Sequence, residues 1–252
     1  AGLSGPRRMF AGAARDFVLG TRLLTAQGEL LRFGGQVMKN VAGFDVSRLL
    51  CGSLGILGVI TEVSLKVLPR PRLEETLSLE LSAAEAVAAF NRWAGLPLPL
   101  SGAAWSQGHA WVRLSGAPAA VRAAREKIGG DPVAPAVAAG FWSALRHCQL
   151  PLFASAAIWR LSLPSATPPL ALPGEPLIDW GGALRWYANP PNRVAVRAVA
   201  ERAGGTAQCW RGAPPGTRFH PLPFALATLH RRLKERFDPR GVFNPGRLIE
   251  GL

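Results

Sequence analysis

The sequence predicts an α+β chain built mainly on antiparallel sheet. Three observations predict it. Stretches with β-branched residues or strict alternation recur, as at 59–68 and at Leu77, Leu79 and Leu81. Short Ala-rich stretches with capping residues lie between them. Glycine and proline, 28 and 22 of 252 residues, punctuate the junctions. An apolar fraction of 48 % with 18 % charged residues excludes a disordered chain. The length suits one large or two small domains with a real core.

Residues 1–14 are rich in Gly, Ser, Pro and Arg and read as a loop. Residues 16–33 read as two strands around the turn Ala26-Gln27-Gly28. Asp45 can cap a short helix ending near Cys51, with Gly52 as its stop. A strand over 59–68 ends at Pro69-Arg70-Pro71, which marks a domain boundary. After it, Leu77, Leu79 and Leu81 form a strand. Ser82 and Glu85 form a capping box for a helix reaching Trp93 and stopped by Gly95. Strands at 102–106 and 109–115 and a helix over 117–128 complete a β-α-β-β-α order, the start of a ferredoxin-like split unit. A similar order recurs: a strand at 155–163, strands at 176–180 and 183–187, a helix at 191–203 and a strand at 206–210. The Pro-rich stretch 164–176 between them is a loop, and the two units can share one sheet. Residues 223–237 carry Leu226, Leu229 and Leu233 on one helical face, and a turn-rich tail closes the chain.

Composition removes several function classes. No apolar run reaches the roughly 18 residues of a membrane span. Cys51, Cys148 and Cys209 are odd in number and far apart, so they form no disulfide framework and no CxxC metal pair, and a reducing compartment is expected. The net charge is +13, but only four of the 29 basic residues are lysines, and the arginines are scattered. That pattern fits GC-rich coding, an anionic cofactor or an acidic partner better than nucleic acid, which calls for a dense basic stripe with aromatics. The four histidines, His109, His147, His220 and His230, are far apart and have no metal-ligand spacing.

The densest signal is Cys51-Gly52-Ser53-Leu54-Gly55-Ile56-Leu57-Gly58-Val59-Ile60-Thr61. Glycines there let backbone amides approach a phosphate or carbonyl oxygen. A tight helix-to-strand turn explains the same residues. The run is neither a GxGxxG fingerprint after a strand nor a Walker loop, which argues against a Rossmann site and a P-loop.

Together with Lys39-Asn40-Val41-Ala42-Gly43-Phe44-Asp45, Arg48-Leu49, Ala1-Gly2-Leu3-Ser4-Gly5-Pro6-Arg7-Arg8, Arg15-Asp16 and the tail Phe237-Asp238-Pro239-Arg240-Gly241-Val242-Phe243-Asn244-Pro245-Gly246-Arg247, this run resembles the FAD-linked oxidase family with the vanillyl-alcohol-oxidase type of FAD domain. Within that family the chain looks most like the glycolate oxidase E-subunit branch. The resemblance implies that 1–71 is the C-terminal portion of an FAD-binding domain, 72–222 a ferredoxin-like α+β cap, and 223–252 a helix and tail returning to the FAD site. It implies FAD as cofactor. Ser4 and Gly5 would line the flavin side of the pyrophosphate loop. Gly55 and Gly58 would let the backbone pass the adenosine-ribose end, and Ser53 is a further cofactor-binding candidate. Val59 and Ile60 would meet adenine, and Asn244 the flavin or ribityl. Asn244-Pro245-Gly246 can equally be an ordinary turn. Lys39 and Asp45 would pair, approach the cofactor or face solvent. Phe44 stands where relatives often have Tyr, and Leu54 where catalytic relatives have Glu.

In relatives a first FAD subdomain with a glycine-rich pyrophosphate loop precedes this segment. That loop is not among these residues, so the chain is expected to be N-terminally incomplete and to hold flavin weakly by itself. The implied function is a flavin subunit that oxidises a small 2-hydroxy acid, glycolate, to a 2-oxo acid. The implied partners are a catalytic FAD subunit and an iron–sulfur subunit of a glycolate oxidase complex. The implied location is the cytoplasm, with possible attachment to the inner membrane through the complex. Catalytic relatives carry HxHxxDGNxH in the cap, which is absent here, so no catalytic residue is identified. A structural or electron-relay subunit, or an independent FAD-dependent alcohol or sugar oxidase, are the alternatives.

Overall fold

The computed structural model describes residues 1–35, 45–190, 192–213 and 218–248. They fall into two compact units. The first comprises Ala1–Ser4, Gly12–Pro69 and Pro215–Leu252, and the second Gly5–Ala11 and Arg70–Pro214. Residues 1–14 are not wholly loop. They contain the four-residue helix α1 (Arg8–Ala11), and α2 (Ala14–Phe17) starts at their end with Asp16 accepting from the Ala13 amide at 2.8 Å.

In the first unit β1 (Val18–Leu24) is the central strand. It pairs antiparallel with β2 (Leu30–Gly34) and β3 (Val59–Leu65). The predicted turn sits between the first two. Gly28 has φ +83, and Thr25 closes the turn by accepting the Gln27 and Glu29 amides on its hydroxyl. The predicted strand over 59–68 stops at Leu65. Between β2 and β3, α3 (Val46–Leu50) begins at Asp45, whose carboxylate accepts from the Arg48 amide at 3.0 Å. Leu23, Leu50, Ile56 and Leu57 form the core, with Phe33, Val46, Phe237 and Leu248 packed against it.

The second unit is an eight-stranded antiparallel sheet. In chain order it contains β4 (Leu73–Glu80), α4 (Ala83–Ala94), β5 (Leu100–Ser106), β6 (His109–Gly116), α5 (Pro118–Ile128), β7 (Asp131–Pro132), α6 (Pro135–Arg146), β8 (Ile158–Ser162), β9 (Leu177–Asp179), β10 (Leu184–Ala188), α7 (Arg193–Arg202) and β11 (Thr206–Arg211). The strand order is β11-β8-β10-β9-β5-β6-β4-β7. The two predicted units do share one sheet. They are joined where Trp105 faces Ile178. Each half has the same order, with β4, β5, β6 and β7 answering β8, β9, β10 and β11. The capping box is present: the Glu85 amide donates to Ser82 Oγ at 3.3 Å, and the Ser82 amide to Glu85 at 2.8 Å. The second half has no counterpart of α4. Residues 164–176 are irregular there, as their prolines dictate.

Alternation places the helices. Ala110, Val112 and Leu114 of β6 belong to the core under α4 and α5. Trp111, Arg113 and Ser115 therefore face the other way, towards α6, where Trp111 stacks on Phe141 at 4.0 Å. Val196 and Ala200 of α7 pack with Trp159, Leu161 and Tyr187. The chain closes in the first unit with α8 (Phe224–Phe237).

Candidate functional site

The glycine-rich turn connects α3 to β3 and is held by short backbone bonds. The Ser53 amide donates to Leu50 O, and the Ile56 amide to Ser53 O, both at 3.2 Å. Leu54 and Gly55 have φ values of +54 and +74. The left-handed region is natural for glycine and uncommon for leucine. The Leu54 and Gly55 amides donate to no acceptor among the described residues. Exposed backbone donors at a glycine turn suit an anionic or carbonyl oxygen from outside the protein.

The tail reaches this turn. Asn244 Nδ2 donates to Leu54 O at 2.8 Å, and a Cβ on Gly55 would lie 2.7 Å from the same Nδ2. Behind it lies a buried ionic node. Lys234, near the end of α8, is 5 % exposed and Asp238, just past it, 2 %. The Lys234 ammonium donates to Asp238 Oδ2 at 2.6 Å, Ile56 O at 2.8 Å and Phe243 O at 2.6 Å. Asp238 in turn accepts the Val242 and Phe243 amides at 3.0 and 2.7 Å. Every ammonium proton therefore has an acceptor. Burial pushes the Asp238 carboxyl up, but the bonds from Lys234, Phe243 and Val242 outweigh it and hold it below the usual aspartate value. The node ties helix, turn and tail into one piece. Arg240 adds a bond to Ala26 O.

The structure brings together Ser53, Gly55 and Asn244. Val59 and Ile60 follow on β3, both exposed, at 47 % and 43 %, and paired with Leu24 and Leu23. Gly58 has another reason to be glycine than passage of a ligand. Its φ is +150, and a Cβ there would lie 2.8 Å from Leu23 Cδ1 and from Leu24 O. It lets the turn lie against β1. Ser4 accepts the Ala14 amide at 2.9 Å within the first unit, where Gly2 lies close against Gly52. Gly5 belongs to the second unit and accepts from Trp180 Nε1 at 3.1 Å. Asp45 is spent on its cap and on Arg48. Lys39 and Phe44 lie outside the described residues.

Sequence reasoning named no role for Lys234 or Asp238. The signal was available: a Lys followed four residues later by an Asp, at the end of a helix. It also missed Asp179 in the second unit. That residue is 3 % exposed, accepts the Trp180 amide at 2.7 Å and is not among the groups ion-paired within 4 Å. Burial pushes its carboxyl up to about 7, against the pull of the Trp180 amide, Arg113 and Arg160. The guanidinium groups of Arg8 and Arg160 lie over the Trp180 ring at 4.3 and 5.0 Å. Among the described residues no group of three His, Cys, Asp or Glu side chains could hold a metal ion.

No protein-family model matches the chain. It is 50 % identical to the glycolate oxidase subunit GlcE of Escherichia coli (strain K12) over 252 residues, which is all of this chain and 70 % of that relative. It is 42 % identical over 73 residues to the glycolate oxidase subunit GlcD of Bacillus subtilis (strain 168), 29 % of this chain and 16 % of that one. Among solved structures, an alkyldihydroxyacetonephosphate synthase matches 97 % of the chain with a TM-score of 0.62 at 14 % identity, and this chain spans 56 % of it. A berberine bridge enzyme variant matches with a TM-score of 0.53, also at 14 % identity. At such identities the structural matches speak for the fold alone.

Proposed function

The chain belongs to the family of the glycolate oxidase subunit GlcE, and from that premise we propose that it is a flavin-binding subunit of a complex that oxidises a 2-hydroxy acid, glycolate, to the 2-oxo acid. One observation carries the reading. The clamped turn and tail present the unpaired Leu54 and Gly55 amides beside Ser53 and Asn244, in a chain half identical to that relative along its whole length.

The residues fit FAD. The free amides suit an oxygen-rich group, and Val59 and Ile60 offer exposed apolar surface one strand-step away. Ser53, Gly55, Val59, Ile60 and Asn244 would hold the cofactor, with Ser4 a further candidate in the same unit. Gly58 supports the turn from behind. When bound, flavin supplies a two-electron acceptor for alcohol oxidation. The protein's own part is to fix the turn through Lys234, Asp238 and Asn244, so that little ordering remains when the cofactor binds. The partners proposed are a catalytic flavin subunit and an iron–sulfur subunit. Among the described residues no helix is long and apolar enough to cross a membrane. We place the chain in the cytoplasm, with any membrane attachment through the complex. The absence of HxHxxDGNxH from the sequence favours, as a second reading, a subunit that relays electrons without turning over substrate itself.

The test is the whole complex, purified with the gene product at its natural length. Anaerobic glycolate should bleach flavin absorbance that co-purifies with this subunit. A subunit that stays colourless at natural length and takes up no FAD refutes the cofactor assignment. A coloured subunit bleached only in the presence of the catalytic partner selects the relay reading.

A further inference from the structure

The second unit contains a cavity of about 630 Å³ between α6 and the sheet face that α6 covers. Its size lies in the range of small-molecule sites, roughly 300–1,000 Å³. Arg113 of β6 lines it and is 95 % buried, by its 5 % exposure. Its Nε and Nη2 are spent on Ser101, at 3.1 Å to Oγ and 2.9 Å to the carbonyl, and Nη1 has no partner. Among the described residues no carboxylate lies within 4 Å of it. Its guanidinium lies 4.5 Å from the centre of the Trp142 ring. Glycine at position 102 makes that packing possible, since a Cβ there would lie 3.1 Å from both groups.

A buried cation without a carboxylate in direct contact is costly. Burial and the nearby Arg7 pull the Arg113 guanidinium down to about 10. The acid on the same sheet face is already used: Glu74 is bound by Arg7 and by Ser115 Oγ. Glu75 also borders the cavity, but strand alternation turns its side chain to the opposite face, with Leu73 and Leu77, where its Oε2 is buried with no hydrogen-bond partner among the described residues. Arg146, on the α6 side, also lines the cavity without an ion pair. Two guanidinium groups with no ion pair within 4 Å among the described residues thus border one space, with Glu74 and Asp179 acting on Arg113 only from further away. Thr76 and Ser143 add hydroxyls, and Trp142, Val133 and the alanines of α6 add apolar wall.

The geometry points to a binding site in this unit for an organic monocarboxylate with an apolar or aromatic body, its carboxylate on Arg113 and Arg146. The space is several times what a two-carbon acid fills, so the body, as well as the charge, is part of the match. This goes beyond the flavin reading and does not depend on it.

The experiment is calorimetric titration and thermal-shift measurement on the full chain with three probes. Benzoate carries charge and ring, benzyl alcohol the ring alone, and inorganic phosphate the charge alone. Benzoate should bind saturably and raise the melting temperature, with the other two at least about tenfold weaker. Arg146→Gln, at an exposed position, should weaken benzoate at least about threefold. Arg113→Gln and Ala139→Phe, the latter filling the space from the helix, should remove binding. If Arg113→Gln fails to fold, Arg146→Gln and Ala139→Phe decide. Failure of benzoate to saturate, phosphate binding equally well, or benzoate binding unchanged in Ala139→Phe each overturns the assignment.

Discussion

Replacing Lys234 by Met keeps most of the stem and removes the ammonium. Asp238 is then a buried carboxylate with two backbone donors and no cation, and the carbonyls of Ile56 and Phe243 lose their donor. Breaking a buried pair from one side costs about 3–5 kcal/mol. The reporter matters. All eight tryptophans and the one tyrosine lie between Trp93 and Trp210, in the second unit. Intrinsic fluorescence is therefore blind to this node, and hydrogen exchange read by mass spectrometry is the right assay. The hydrogen-bonded amides of the two segments, Ser53 and Ile56 in the turn and Gly241, Val242 and Phe243 in the tail, should exchange roughly 10²–10⁴ times faster, the same free energy written as a ratio. The fluorescence-detected unfolding of the second unit should not move. Adding Asp238→Asn to Lys234→Met removes the stranded charge and should recover part of the loss. Protection within tenfold of the parent in both segments would refute the idea that Lys234 joins helix, turn and tail.

Other outcomes follow from the same geometry. Asp179→Asn keeps an acceptor for the Trp180 amide and removes a carboxyl held up at about 7. Because the folded value is raised above the ordinary 3.8, this group costs stability progressively as pH climbs from about 4 to 7. The variant should therefore be more stable by up to about 4 kcal/mol at pH 8 and near parity at pH 4; a difference that does not change with pH would sink the burial argument. Asp238 has the opposite sign, and its stabilisation should fade as pH falls through and below about 4, visible as acid-induced exchange in the tail that Lys234→Met no longer shows. Gly58→Val should unfold the first unit's sheet by about 3 kcal/mol or more through its clash with Leu23 and Leu24, with no flavin present; a stable variant that merely refuses flavin would restore a direct ligand role. Asn244→Ala should cost about 1–2 kcal/mol, from the lost bond to Leu54 O and from an alanine at φ +42, seen as faster exchange confined to the turn.

The elements legible in the sequence were those with local chemistry of their own. The Ser82–Glu85 capping box, the Thr25–Gly28 turn and the repeated strand order are written in adjacent residues. Helix α6 was not legible. Its N-cap residue is Ala134, which offers no side-chain cap, and Gly140 lies in its middle, so Pro135 at the first position is its one start signal. The burial of α8 was not legible for a different reason. Its leucines share one face by period, yet Leu226 and Leu229 are 47 % and 52 % exposed, while Lys234 is sealed inside. Period analysis ranks residues by hydropathy and assumes that a lysine seeks water. Three acceptors converging from the turn, the tail and the helix end reverse that preference, and two of the three are set by tertiary structure. The candidate site was half visible for the same cause. Gly55 and Asn244 stood out as residue types, but the bond that joins turn and tail spans 190 positions.

The repeat in the second unit is unequal, and α4 is the reason. Asn91, on that helix, donates to Ser165 O at 3.1 Å and accepts from Ser165 Oγ at 2.7 Å, so a helix of the first half-sheet covers the stretch where the second half lacks one. The two half-sheets are thus not interchangeable building blocks. The first can complete its own cover during synthesis, from residues close in sequence. The second borrows its cover over 164–176 from a helix made earlier in the chain. That asymmetry favours assembly from the N-terminal half to the C-terminal half, the direction in which a ribosome delivers the chain.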